Sequence, residues 1–153
     1  MKAWRLCRQP FAATALDGLG GLYASGRWHR QGHPIVYAAS AASLAALEVL
    51  VHVDPAIAPR DLCLLTLEIP DDLTVERLTV ADLPPDWQDI PGPAALQNLG
   101  TDWLTARRSC VLCVPSAVIP VEDNLLLNPS HPQIARVKVV ATQPFAFDRR
   151  LLG

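Results

Sequence analysis

The sequence predicts an α+β domain. Three observations carry that expectation: short apolar runs of strand length recur along the chain, two longer stretches have helical periodicity, and the two kinds of element do not alternate in the regular βαβ order of a doubly wound sheet. The length of 153 residues, half of them hydrophobic, suits one domain over 1–153 with a sizeable core. A formal net charge of -2 and a pI near 6.0 leave no basic stripe. Only Arg107-Arg108 and Arg149-Arg150 pair cations, which disfavours direct nucleic-acid binding. No apolar run reaches transmembrane length, and the start of the chain leads into Cys7, Arg8, Gln9 and Pro10 rather than a signal core. A soluble, cytoplasmic protein with no membrane contact is expected.

In chain order, 3–7 reads as a strand, followed by an Ala- and Gly-rich loop through Tyr23. Gly18, Gly20 and Gly21 do not make a phosphate cradle, because Tyr23 occupies the last glycine position and no lysine follows; a flexible turn is expected. Gly26-Arg27-Trp28-His29 and Gly32-His33-Pro34 lead into a strand at 35–38. A helix follows over 41 to about 52, with Ser40 as N-cap and Pro55 preventing continuation. Residues 62–69 are dense enough in leucine for a central strand, and 74–80 suggest another. Pro84, Pro85, Pro91 and Pro93 mark an irregular connection around Trp87. A second helix is expected over 94–108, with Leu96, Leu99, Trp103 and Leu104 on its inner side and Gly100 as an unfavourable residue within it. Residues 111–114 form a strand running into Pro115-Ser116, and 124–128 are a short apolar segment. Asn128-Pro129 and His131-Pro132 make turns, and the valine-rich 136–141 gives a last strand.

Four cysteines in a chain of this size do not make a disulfide framework. Cys110-x-x-Cys113 sits among Val111, Leu112 and Val114 with no second cysteine pair and no helix start, so burial is expected rather than redox chemistry or a metal site. His29 and His33 are four apart, a metal-ligand spacing only on a helix, which Gly32 and Pro34 exclude.

Glu48 is the residue that most needs explaining. The helix around it reads almost entirely Ala, Leu and Val, so it should be largely buried with its one carboxylate facing inward. Such a group must be protonated, paired with a cation, or set on the wall of a solvated cleft. Arg27 is the nearest cation the fold could return to it, and a buried structural ion pair between the two is the plain alternative to a catalytic role.

The series Gly26-Arg27-Trp28, Gly32-x-Pro34, Val36-Tyr37-Ala38, Ala46-Leu47-Glu48-Val49-Leu50-Val51-His52, Gly100-x-x-Trp103-Leu104, Val114-Pro115-Ser116-Ala117-Val118 and Leu127-Asn128-Pro129-x-His131 resembles the RES family, named for an Arg, a Glu and a Ser. This resemblance implies an ADP-ribosyltransferase-like fold of mixed, mostly antiparallel sheets with a few helices. It also implies a toxin that degrades NAD and is paired with a helix-turn-helix antitoxin of the Xre type. Arg27, Glu48 and Ser116 take the family positions, with Tyr37 as a fourth. Ser25 stands where the family usually has a second glycine, and His29 where it usually has an asparagine.

In this reading NAD is the substrate, and no separate cofactor or metal is expected. Glu48 would stabilise an oxocarbenium-like ribose, Arg27 would hold the pyrophosphate, Tyr37 would stack on nicotinamide, and Ser116 would orient Glu48 or hold a ribose hydroxyl. DNA contact would come only through the antitoxin; a homodimer is left open. Water, phosphate or a macromolecule can be the acceptor. An ADP-ribosyltransferase acting on a macromolecule, and an inert partner-binding domain, stand as the alternatives.

Overall fold

The apolar runs fold as strands in a computed structural model that describes residues 1–153: β1 (Lys2–Arg8), β2 (Val36–Ala39), β3 (Leu62–Glu68), β4 (Val75–Arg77), β5 (Val111–Pro115), β6 (Asp123–Leu127) and β7 (Lys138–Phe145). Three α-helices accompany them: α1 (Gly20–Tyr23), α2 (Ala42–Leu50) and α3 (Ala94–Ala106). The strands make one sheet in the order β4-β5-β6-β2-β1-β3-β7, antiparallel except for the β4–β5 pair. The expected α+β class is therefore the observed one. No helix is long and apolar enough to cross a membrane.

The central runs 111–114 and 125–127 are apolar at every position because both of their faces are covered. Val111, Cys113, Leu125 and Leu127 join Ala3, Val36, Ala38, Cys63, Leu65 and Leu67 in the core on one face. Their neighbours Leu112, Val114 and Leu126 point the other way, toward Trp28, Ile35, Trp87 and the α3 residues Leu96, Trp103 and Leu104. On that second face, Leu44 and Ala45 of α2 pack on Ala39 beside Trp4. Cys110 and Cys113 are buried and free, and burial pushes both thiols above their usual range, away from thiolate chemistry.

Between β1 and β2 the ladder is one pair long, Trp4 opposite Ala39. A side chain reinforces this seam: the Arg5 guanidinium donates to the Tyr37 carbonyl at 2.7 Å, while its buried Nε has no partner. Elsewhere the sheet is continuous, with seven paired positions between β1 and β3.

Several expectations need correction. The loop read as flexible contains a 3-10 turn over Gln9–Thr14 and the single-turn α1, closed by Gly32 N–H donating to Gly21 O at 3.0 Å. The N-cap of α2 is Ala41, without a side-chain cap, one residue after the expected Ser40, whose N–H donates to the Asp123 carbonyl. Helix α2 is less buried than expected: only Leu44 and Ala45 are fully covered, Ser43 is exposed, and the rest of the helix is half-buried. Leu99 faces outward, and α3 ends at Ala106 with Arg107 in a left-handed conformation (φ 53°). The strand at 74–80 shortens to Val75–Arg77, and a 3-10 turn follows with Thr79 and Asp82 forming a capping box. Strand β7 starts later than expected and runs through Pro144, which an edge strand tolerates because its outward N–H has no ladder partner to lose.

Gly100, unfavourable for a helix in isolation, is what lets α3 approach the site loop. A Cβ there would lie 1.7 Å from the Trp28 carbonyl oxygen. Gly100→Ala is accordingly expected to destabilise the fold by about 3 kcal/mol, although alanine is the better helix former. Urea unfolding measures this, and an unchanged midpoint would mean that α3 does not seat on Trp28.

Candidate active site

Helical spacing aims Glu48 at the sheet. It lies four residues after Leu44 and three after Ala45, the two buried residues of α2, and so falls on the same stripe. Its carboxylate is half-buried at the edge of that stripe. There its Oε1 accepts two hydrogen bonds, from Ser116 Oγ and from Asn124 Nδ2, each at 2.6 Å. Oε2 has no partner within the protein. One carboxylate oxygen is thus pinned and the other is left to a ligand.

Ser116 follows the end of β5 and is fully buried. Its hydroxyl donates to Glu48 and accepts from the N–H groups of Val118 and Ile119, both at 3.0 Å. One proton and two lone pairs are a hydroxyl's whole capacity, so none remains for a ribose hydroxyl. Asn124 stands on β6 between Ala39 and Val114, on the face that α2 covers. The sequence reading missed it. Its signal was a polar residue opening an otherwise apolar run, at a register position facing the helix that carries Glu48.

Arg27 lies in the turn between Gly26 and His29, which the Gly26 N–H closes by donating to the His29 carbonyl at 3.1 Å. Its half-buried guanidinium donates through one terminal nitrogen to the carbonyls of Trp87 at 2.8 Å and Asp89 at 3.1 Å. The ion pair with Glu48 considered from sequence does not form. Neither residue belongs to any of the protein's salt bridges, since Arg27 is anchored by peptide dipoles and Glu48 by neutral donors. The segment holding Arg27 is nonetheless tied to the one holding Glu48: Gln88, between Trp87 and Asp89, donates to the Ala117 carbonyl beside Ser116 at 3.1 Å. That bond seats the segment anchoring Arg27 against the segment anchoring Glu48.

Tyr37, on β2, presents its ring on the same face, and burial holds its phenol far above the ordinary range, so the hydroxyl stays protonated. That hydroxyl lies 2.7 Å from His29 Nδ1 and accepts from the Trp28 N–H at 3.3 Å. The other ring nitrogen of His29 is 2.8 Å from the Ala24 carbonyl. His131 is a turn residue whose Nδ1 accepts from the Gln133 N–H at 3.1 Å. A polar concavity of about 270 Å³ under His33, Arg107 and Asn128 contains none of the four expected site residues.

The RES domain profile matches residues 2–148. The chain belongs to the RES family. Among RES relatives, it is 38% identical over 99% of both chains to "Toxin Res" of Yersinia enterocolitica. It is 40% identical to the protein of that name in Pseudomonas putida, again over 99% of each. The "Prs ADP-ribosylating toxin" of a Sphingobium species is 34% identical over 97% of this chain and 95% of its own. Among solved structures, the Mycobacterium tuberculosis MbcT–MbcA toxin-antitoxin complex contains a chain of the same fold, with a TM-score of 0.75 over 99% of this RES chain and 86% of the other, at 17% identity. The mixed, mostly antiparallel sheet with a few helices that the family pattern implied is the architecture this RES chain adopts, and it shares that fold with the MbcT–MbcA complex's matching chain.

Proposed function

We propose that this chain is the toxin of a toxin-antitoxin pair and that it cleaves NAD at the bond between ribose and nicotinamide. The observation that carries the proposal is the state of Glu48. Its Oε1 is held by two donors and its Oε2 is free, in the same site as a guanidinium with no carboxylate partner. Nicotinamide leaves as a neutral molecule from a cationic ring, and positive charge develops on the ribose. A carboxylate oxygen fixed beside that carbon stabilises the charge without reorganising during the reaction. Ser116 and Asn124 are then positioning residues for Glu48. The nitrogens of Arg27 not anchored on carbonyls suit the pyrophosphate. NAD is substrate in this scheme, and cytoplasmic NAD is the pool it would drain.

A second reading, transfer of ADP-ribose to a macromolecule, has support in the name of the Sphingobium relative. The cleavage residues serve both, because the acceptor is chosen by surfaces outside the Glu48 network. An antitoxin partner is supported by the MbcT–MbcA complex. We assign this chain's partner to the Xre type, with any DNA contact made by the antitoxin, in keeping with the slightly acidic balance here. An acidic group of the antitoxin would block the Arg27 side of the cleft by mimicking phosphate.

The test is incubation of the pure protein with NAD, with and without inorganic phosphate, reading free nicotinamide and the ribose product. Nicotinamide release without any macromolecular acceptor is expected. Release only when a cell extract is added, with label fixed to protein, would replace cleavage by ADP-ribosyl transfer. No release under either condition would leave a partner-binding domain.

A further inference from the structure

His29 is almost fully buried, and both of its ring nitrogens are engaged. The Ala24 carbonyl can only accept, so Nε2 carries the proton and Nδ1 is bare. The Tyr37 hydroxyl must therefore donate to Nδ1, and it accepts the Trp28 N–H with a lone pair. Its one proton is spent inside the protein. Gly26 closes over the same hydroxyl: a Cβ there would lie 2.7 Å from the Tyr37 oxygen and 2.9 Å from His29 Cε1. The turn that carries Arg27 is thus wrapped around the end of the Tyr37 side chain, with His29 as the acceptor that fixes the hydroxyl's direction.

Resting on the NAD-cleaving reading above, we infer that His29 is a positioning residue for Arg27, acting through the Tyr37 hydroxyl. Tyr37 has two separable duties, its ring facing the ligand and its hydroxyl serving as the peg of the Arg27 turn. The hydroxyl duty overturns one consequence of a stacking-only role, under which Tyr37→Phe would be mild. Phenylalanine keeps the ring but leaves Nδ1 of His29 buried without a donor and the turn without its peg. The guanidinium is held from two sides, by the carbonyls of Trp87 and Asp89 and by this turn, so losing one side shifts it relative to the phosphates it would bind.

The experiment is a double-mutant cycle on the full chain. His29→Leu and Tyr37→Phe should each raise KM for NAD about tenfold or more with kcat within a few-fold of parental, and the double variant should be no worse than either single one. On an Arg27→Ala background, His29→Leu should have no further effect on KM. His29→Asn, whose Oδ1 falls near the position of the imidazole Nδ1, should recover most of the parental KM. Parental KM in a folded His29→Leu protein, or an undiminished effect on the Arg27→Ala background, overturns the inference. NMR with labelled histidine and arginine, on the parental protein and on Tyr37→Phe, gives a second readout independent of folding yield and of catalysis. It should show His29 protonated on Nε2, and the Arg27 Nε–H signal should move in Tyr37→Phe. Protonation on Nδ1, or an unmoved Arg27 signal, also overturns it. A parental protein that leaves NAD intact would sink the functional reading alone, because the NMR comparison still decides the role of His29.

Discussion

Glu48→Gln is expected to lower NAD turnover by a factor on the order of hundreds while NAD binding and stability stay close to parental. The substitution is nearly isosteric, and the amide oxygen of glutamine can take the place of Oε1, accepting from both Ser116 and Asn124. What changes is the other position, where a charged oxygen without a protein partner becomes an uncharged NH₂ group. The loss then falls on charge that exists mainly in the transition state, so kcat drops and KM does not. Steady-state kinetics and a thermal melt on the same preparation separate the outcomes. A folded variant turning over near the parental rate would make Glu48 a structural residue.

Arg27→Lys should raise KM for NAD by about tenfold or more, with the charge kept. Arginine divides its work: one terminal nitrogen is committed to the carbonyls of Trp87 and Asp89, and the rest of the fork is free for a ligand. Lysine has a single nitrogen and cannot do both. Anchored on the carbonyls, it leaves the phosphates; turned to the phosphates, it leaves two carbonyls without their donor. Equal kinetics in the lysine variant would show that charge alone suffices, and the two-pronged role would be withdrawn.

The parts of this site that could be read in the sequence are those governed by local apolar composition. The apolar helix around Glu48 pointed its one carboxylate inward, while the stripe it shares with Leu44 and Ala45 shows only once the helix is seated on the sheet. The unbroken apolar run at 111–114 likewise reads as a buried strand, and the structure covers it on both faces. What holds the functional groups was not legible, because the partners are long-range and chemically anonymous. The anchors of Arg27 are backbone carbonyls, which every residue has. Asn124 reaches Glu48 only because β6 pairs with β2 beneath α2, a consequence of strand order rather than of any motif. Gly100 and Leu99 show the same limit. Helical periodicity placed Leu99 inward, but the close seat of Gly100 on Trp28 rotates α3 so that the glycine, and not the leucine, faces the protein.

The one-rung seam between β1 and β2 divides the sheet's hydrogen bonding into two leaves. On one side lies a leaf of β4, β5, β6 and β2; on the other, a leaf of β1, β3 and β7. Within each leaf a row of ladder bonds joins the strands, whereas across the seam the hydrogen bonds come down to a single pair, Trp4 with Ala39, and one side-chain strap from Arg5, so the core shared by both leaves carries the join. Glu48 is bonded to residues of the first leaf alone, the serine after β5 and the asparagine of β6, and Tyr37 rides on β2 of that same leaf. The distances inside the carboxylate network are therefore fixed within the first leaf, while α2, which carries Glu48, also reaches across the seam to Trp4 and Leu64. Hydrogen bonds and packing thus divide the work, the ladders holding each leaf together and the side chains beneath α2 fastening one leaf to the other.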